Sequence, residues 1–241
     1  MEEVLPSYYF ADIDKDFIFP EVFRDVKYVW EALAQKDKVL ASVTTRNGGK
    51  VDPTVVMRGK VEIGEGTVIE PFCVIDGPAV IGKNCLIRPH VYIRAGTIIS
   101  EAVVVGHGVE IKNSLIFKEC KLDSHTFVGD SILGRGVRNG SGTITANRRF
   151  DQKEVAVKIK EKIFQTGLYK FGAVIGDYSR LGANCTLLPG TLIGQHVFVY
   201  PHSLVKGWLK SDIYQKTKQD KQVQETKERI ILKALDREGN L

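Results

Sequence analysis

The 241-residue chain lacks several features that would narrow its function at once. It has no long apolar run and no basic stretch behind Met1-Glu2-Glu3. Neither a membrane span nor a signal peptide is therefore expected, and the cytoplasm is the default location. Cysteine is scarce, four in all, and no two form a C-x-x-C pair. That argues against metal binding or a disulfide. Charge of one sign is hardly in excess: 34 Lys and Arg against 29 Asp and Glu give +5. Such a balance permits an anionic small ligand and is thin support for nucleic acid. No basic tail and no RNA-binding motif is present.

What the chain does have is a period. Val51, Met57, Ile63, Ile69, Ile75, Ile81, Ile87, Ile93, Ile99, Val105 and Ile111 stand six apart without a miss. Neither a helix nor an ordinary strand produces that spacing. It is the pattern of a parallel β-helix of hexapeptide repeats. Four residues after each marker comes a small or β-branched residue, such as Val61, Thr67, Cys73, Ala79 and Cys85. These suit a narrow, tightly packed interior. All four cysteines (73, 85, 120 and 185) take this slot and read as interior hydrophobes. Glycine follows the marker at Gly64, Gly82 and Gly106, which suggests a corner with positive φ. Three hexapeptides make one triangular coil.

Five-residue steps follow Ile111 and Val128, and the repeat resumes at Tyr169 and Ile175 and runs to Val205. The domain reading is an N-terminal cap over 1–50, a β-helix over 51–207 and a helical extension over 208–241. The aromatic-rich cap, with a short helix within Val26–Leu40, is expected to cover the open first coil. Residues 146–168 interrupt the repeat. Their alternation from Glu154 to Lys160 predicts a β-hairpin turning at Glu161-Lys162 and projecting from a corner.

A solid interior leaves only edges for chemistry. His90, His107 and His125 fall about three hexapeptides apart and should stack along one edge. Neutral imidazoles there suit a general base or metal ligands. The same ladder also reads as exposed corner residues. His196 and His202, six apart, fall on different corners and make a poor metal pair. Lys112, Lys170 and Arg138 suit phosphate on an outer corner, or simple surface charge. No metal site is expected.

The runs Gly108-Val-Glu-Ile-Lys-Asn-Ser114, Val128-Gly-Asp-Ser131 and Gly140-Ser-Gly-Thr-Ile-Thr-Ala-Asn147 carry a resemblance. They resemble the acetyltransferase half of the bifunctional enzymes that make UDP-N-acetylglucosamine, over about residues 60–207. The resemblance implies an all-β fold, a single-stranded left-handed parallel β-helix. It also implies a homotrimer that acetylates glucosamine-1-phosphate from acetyl-CoA. The nucleotidyltransferase half, with its Gly-rich, Arg-containing loop, has no counterpart in the first 50 residues. The family's phosphate lysine matches Lys112, its sugar-contacting asparagine Asn147, and its lysine before Phe matches Lys170. The catalytic histidine position holds Ser124, with His125 one residue along. The family's tyrosine becomes Phe127, an asparagine becomes Arg138, and a phosphate arginine becomes Tyr92, with Arg94 nearby.

The leading reading is therefore a sugar-phosphate or nucleotide-sugar N-acyltransferase using acetyl-CoA. His125 or His107 serves as base, and Lys112, Arg94, Arg138, Asn147 and Lys170 serve as substrate contacts. The alternative is a catalytically degenerate β-helix that binds or scaffolds, motivated by the departures at Ser124, Phe127, Arg138 and Tyr92. A third reading, a γ-type carbonic anhydrase, needs two histidines five apart, and none are.

Overall fold

The computed structural model of the chain describes residues 2–216. The repeat winds into a left-handed parallel β-helix with three faces. The first two are nine-stranded sheets and the third is eight-stranded, all parallel. Strands are short, as at Val61–Ile63 on the first face, Val68–Ile69 on the second and Val74–Asp76 on the third.

The aliphatic markers line up in vertical stacks. On the first face Ile63 pairs with Ile81, Ile81 with Ile99, Ile99 with Ile116 and Ile116 with Leu133. The five-residue steps thus shorten two coils without disturbing the stacks. Leu133 then pairs with Ile175 across the insertion. Tyr169 is not a rung; it stands exposed. The stacked isoleucines from Ile63 to Ile111 are at most 1% exposed. Each such burial contributes roughly 1.5–3 kcal/mol. The four cysteines are free and buried among them.

Glycine after the marker has a different cause from the one expected. Gly64, Gly82 and Gly106 are not the residues with positive φ; those are Gly66, Asn84 and Gly108, two further on. A methyl on Gly64 would stand 2.5 Å from the Gly82 carbonyl carbon, and one on Gly82 2.7 Å from Ser100 backbone. Close approach of successive coils, not handedness, excludes a side chain there.

The N-terminal segment does not sit over the first coil. It lies along the outside of the first face, where Val80, Ile98, Leu115, Ile132, Val174 and Leu192 point outward yet are buried. Phe117 anchors the cover, stacked 4.5 Å from Phe10 and 4.8 Å from Phe17 and edge-on to Phe23 at 5.5 Å. The longest helix in this segment is Ala32–Ser42, after two single-turn helices at Pro6–Tyr9 and Ile13–Asp16. At the first coil itself Val56 and Met57 remain exposed.

The expected hairpin forms, Ala156–Ile159 against Lys162–Gln165, but it turns at Lys160-Glu161, one residue before the expected Glu161-Lys162, so that Ile159 stands opposite Lys162. It does not project freely. Val155, Val157 and Ile159 are buried in the same outer cluster as the N-terminal segment. The coil also continues past residue 207: Trp208–Leu209 and Tyr214–Gln215 add rungs to the first and second faces. The rest of the expected C-terminal helix lies outside the described residues.

Two buried aspartates fasten the cover to the prism. Asp16 bonds Lys118 at 2.7 Å and Arg135 at 3.4 Å. Asp177 accepts from the Ala11 N–H at 2.8 Å and the Arg135 N–H at 2.7 Å. Burial raises the Asp177 carboxyl to about 6, outweighing these two donors.

Candidate functional site

With the first face sealed, the second and third faces and the edge between them stay open. The expected histidine ladder is on that edge. His90 and His107 meet edge-on at 5.3 Å, and His107 and His125 at 5.2 Å. Phe72 extends the ladder, stacked 5.2 Å from His90. Local backbone explains the order. Phe72, His90 and His125 occupy the left-handed corner position, at φ 63°, 61° and 59°. In the intervening coil that position is Gly108, and His107 precedes it. The missing side chain at Gly108 leaves room for the His125 ring. All three imidazoles are solvent-exposed. Beside His107, on the second face, a cavity of about 530 Å³ is bounded by Arg88, Asp123 and Ser124 among others. Among the described residues no three His, Cys, Asp or Glu side chains converge as a metal site.

The lysine and asparagine candidates gather on the opposite edge of the third face. The strand Phe127–Gly129 spans that face, and Lys112 pairs with Gly129. Asp130 follows at a left-handed corner (φ 47°) and is 3% exposed. Its carboxylate accepts from Lys112 Nζ at 3.3 Å, Asn113 Nδ2 at 2.6 Å and Asn147 Nδ2. Gly129 makes the space: a methyl there would stand 2.7 Å from the Phe127 ring and 2.8 Å from Asn147 Nδ2. Lys170 precedes Phe171, whose N–H donates to the Asn147 carbonyl at 2.9 Å, and its side chain is exposed. Lys112, Asn147 and Lys170 are thereby brought to one corner.

Arg94 lies on the same edge, and the remaining candidates lie elsewhere. Arg94 sits one coil below Lys112, 2.9 Å from Glu110, with its guanidinium 5.8 Å from the Tyr92 ring centre. That bond to Glu110 holds the Arg94 pKa above its ordinary value. Tyr92 donates to Asp76 at 2.6 Å, and with Arg58 it holds the Asp76 carboxyl below its usual range. Arg138 is on the second face, between Lys121 and Arg180. It does not join the Lys112 corner, because a full hexapeptide separates the two faces. Lys121, Arg138 and Arg180 stack as a basic column on the second face. His125 is also apart from Lys112. Gly129 lies four positions further on, about 13 Å of backbone at ~3.3 Å per strand residue.

Sequence reasoning missed Asp130 as the centre of the Lys112 corner. Its signal was present, an aspartate in the Val128-Gly-Asp run one coil after Lys112-Asn113.

The bifunctional protein GlmU of Methanococcus maripaludis strain C7 is 47% identical over 183 residues, which is 76% of this chain and 44% of the relative. GlmU of Methanocaldococcus jannaschii is 36% identical over 192 residues, 80% of this chain and 47% of the relative. The chain thus spans less than half the length of these curated relatives. Among solved structures, LpxA from Acinetobacter baumannii aligns with a TM-score of 0.36 and 17% identity, covering 68% of this chain and 67% of that one. The family described as the GMPPB C-terminal domain matches residues 71–223, well over half of the sequence, and the chain belongs to that family.

Proposed function

We propose that the chain is an acetyl-CoA-dependent N-acetyltransferase for a sugar phosphate or nucleotide sugar, resembling the glucosamine-1-phosphate acetyltransferase half of its GlmU relatives. The observation that carries this reading is the pairing of two opposite edges on one open face. One edge bears a cation and amide side chains gathered on Asp130. The other bears solvent-exposed imidazoles.

Lys112 and Lys170 hold the phosphate and Asn147 contacts the sugar. Arg94, one coil below Lys112, supplies further positive charge at the rim. His125, with His107 beside it, accepts a proton from the substrate amine as its nitrogen attacks the thioester carbonyl. The carbonyl oxygen gathers charge that backbone N–H groups stabilise, and the carbon–sulfur bond breaks to release CoA. The family resemblance implies a homotrimer. Copies that meet through the open second and third faces bring the histidine edge of one to the Lys112 corner of the next.

The test is release of CoA thiol from acetyl-CoA with glucosamine-1-phosphate and related amino sugars. Turnover that depends on the amino group is expected. No turnover across the panel by a folded oligomer overturns the reading. It would favour the second reading, a binding protein that kept the prism and lost catalysis. One observation supports that alternative: Ser124 holds the family's histidine position, and His125 leans back over Gly108.

A further inference from the structure

We infer that Asp130 is the positioning residue of the Lys112 corner and sets the polarity of the groups that corner offers to a ligand. This inference rests on the reading of the corner as the phosphate and sugar subsite. Asp130 touches no substrate in it; its role is exerted through Lys112 and Asn147.

The argument starts from the chemistry of the carboxylate. Asp130 is almost wholly buried, and three side-chain donors close on it, two from the coil below and one from the coil above. A carboxylate beside an ammonium and two amides can only accept. Each amide must therefore turn its NH₂ inward, and the Asn147 carbonyl oxygen is left for other partners. The corner then offers a cation from Lys112 and an acceptor from Asn147. A cation recognises phosphate, and an acceptor recognises a hydroxyl or an amine. The ligand class is thus a phosphorylated compound rich in hydroxyl or amino groups. A ligand without a donor would leave the Asn147 carbonyl oxygen unpaired and bind less well.

The backbone reinforces the placement. The Asp130 N–H donates to the Lys112 carbonyl at 2.9 Å, and the Asp130 carbonyl accepts from Gly172 N–H at 2.9 Å. Gly172 follows Lys170-Phe171, where the chain returns from the insertion. Asp130 therefore ties together the coil below, the coil above and the point where Lys170 re-enters. A buried carboxylate without these donors would be costly, so the cluster forms as a unit.

The experiment replaces Asp130 with asparagine, which tolerates the left-handed corner. Kinetics are measured with glucosamine-1-phosphate and acetyl-CoA, alongside exchange of the Asn side-chain amide protons by NMR. In Asp130→Asn the KM for the amino-sugar phosphate should rise about tenfold or more, while the KM for acetyl-CoA stays within about twofold. A purely structural role would lower the fraction of folded enzyme and leave both KM values alone. That result, or an unchanged KM for the sugar phosphate, overturns the inference while leaving the acetyltransfer reading intact. If the wild type turns over no amino-sugar phosphate, the acetyltransfer reading is what fails, and amide exchange decides the positioning role. The Asn147 NH₂ in the wild type should exchange about tenfold or more slowly than that of exposed Asn47. Equal rates overturn the inference. A wild-type measurement suffices for that arm even if the variant does not fold.

Discussion

The imidazole of His125 lies in the space that Gly108 leaves empty: a methyl built on Gly108 would stand 2.8 Å from Nδ1 and 3.0 Å from Cε1. Gly108 also holds φ 64°. Alanine there is strained by its backbone and pushes His125 out of the ladder. If His125 is the base, Gly108→Ala should lower kcat by about tenfold or more, and His125→Ala by roughly 10²–10⁴-fold. His107→Ala should cost less, since it keeps His125 on the edge. Steady-state rates of CoA release check this. An undiminished rate in His125→Ala would remove the base from the mechanism.

Asp177 gives the fold a pH signature. Its folded pKa is about 6, raised by burial from an unfolded value of 3.8. The protonated form is the one the folded protein favours. Its stabilising contribution is therefore complete below about pH 4 and fades as pH rises through 6. Acid-side titration of other carboxylates acts in the opposite sense, so the difference from a variant is the useful measure. The gap in melting temperature between wild type and Asp177→Ala should widen in favour of the wild type as pH falls from about 7 to 4. A gap independent of pH would show that Asp177 titrates normally.

The prism was legible because its constraint is local and repeated. Each marker from Ile63 to Ile111 must fill the same interior slot, so the six-residue period runs unbroken across them. The histidine edge was legible for the same reason. The cover on the first face was not read, though its signal exists. Val80, Ile98, Leu115, Ile132, Val174 and Leu192 occupy outward positions on that face, where the second face carries Lys121, Arg138 and Arg180. An outward aliphatic column means a partner layer. Nothing in local spacing says that the layer comes from the first forty residues and the hairpin. The grouping of Lys112 with Asn147 depends on a buried Asp130, and burial of a single polar side chain leaves no periodic trace.

Phe117 tests that cover. It is fully buried and touches Phe10, Phe17 and Phe23. Truncation to alanine removes one ring from a four-ring cluster and leaves a cavity the prism cannot collapse to fill. The expected cost is about 3–5 kcal/mol, read from urea unfolding. Limited proteolysis should then cut within the N-terminal segment before it cuts the coils. Cleavage that begins in the coils would show that the segment is not held through Phe117.

Asn139 is the odd rung of the second face. It stands in the interior stack between Leu122 and Leu181 and is 0% exposed. Neither its Oδ1 nor its Nδ2 has a protein partner among the described residues. A buried amide without a partner costs about 1–3 kcal/mol, while leucine would match the residues above and below it. Leucine and asparagine are close enough in size for the slot to accept the exchange with little strain. Asn139→Leu should therefore raise stability by about 1–3 kcal/mol in urea unfolding. The site residues lie on outer edges, so the rate of CoA release should not change with it. A loss of stability would mean that the amide makes a bond worth more than its burial costs, and that this layer of the interior is polar by requirement.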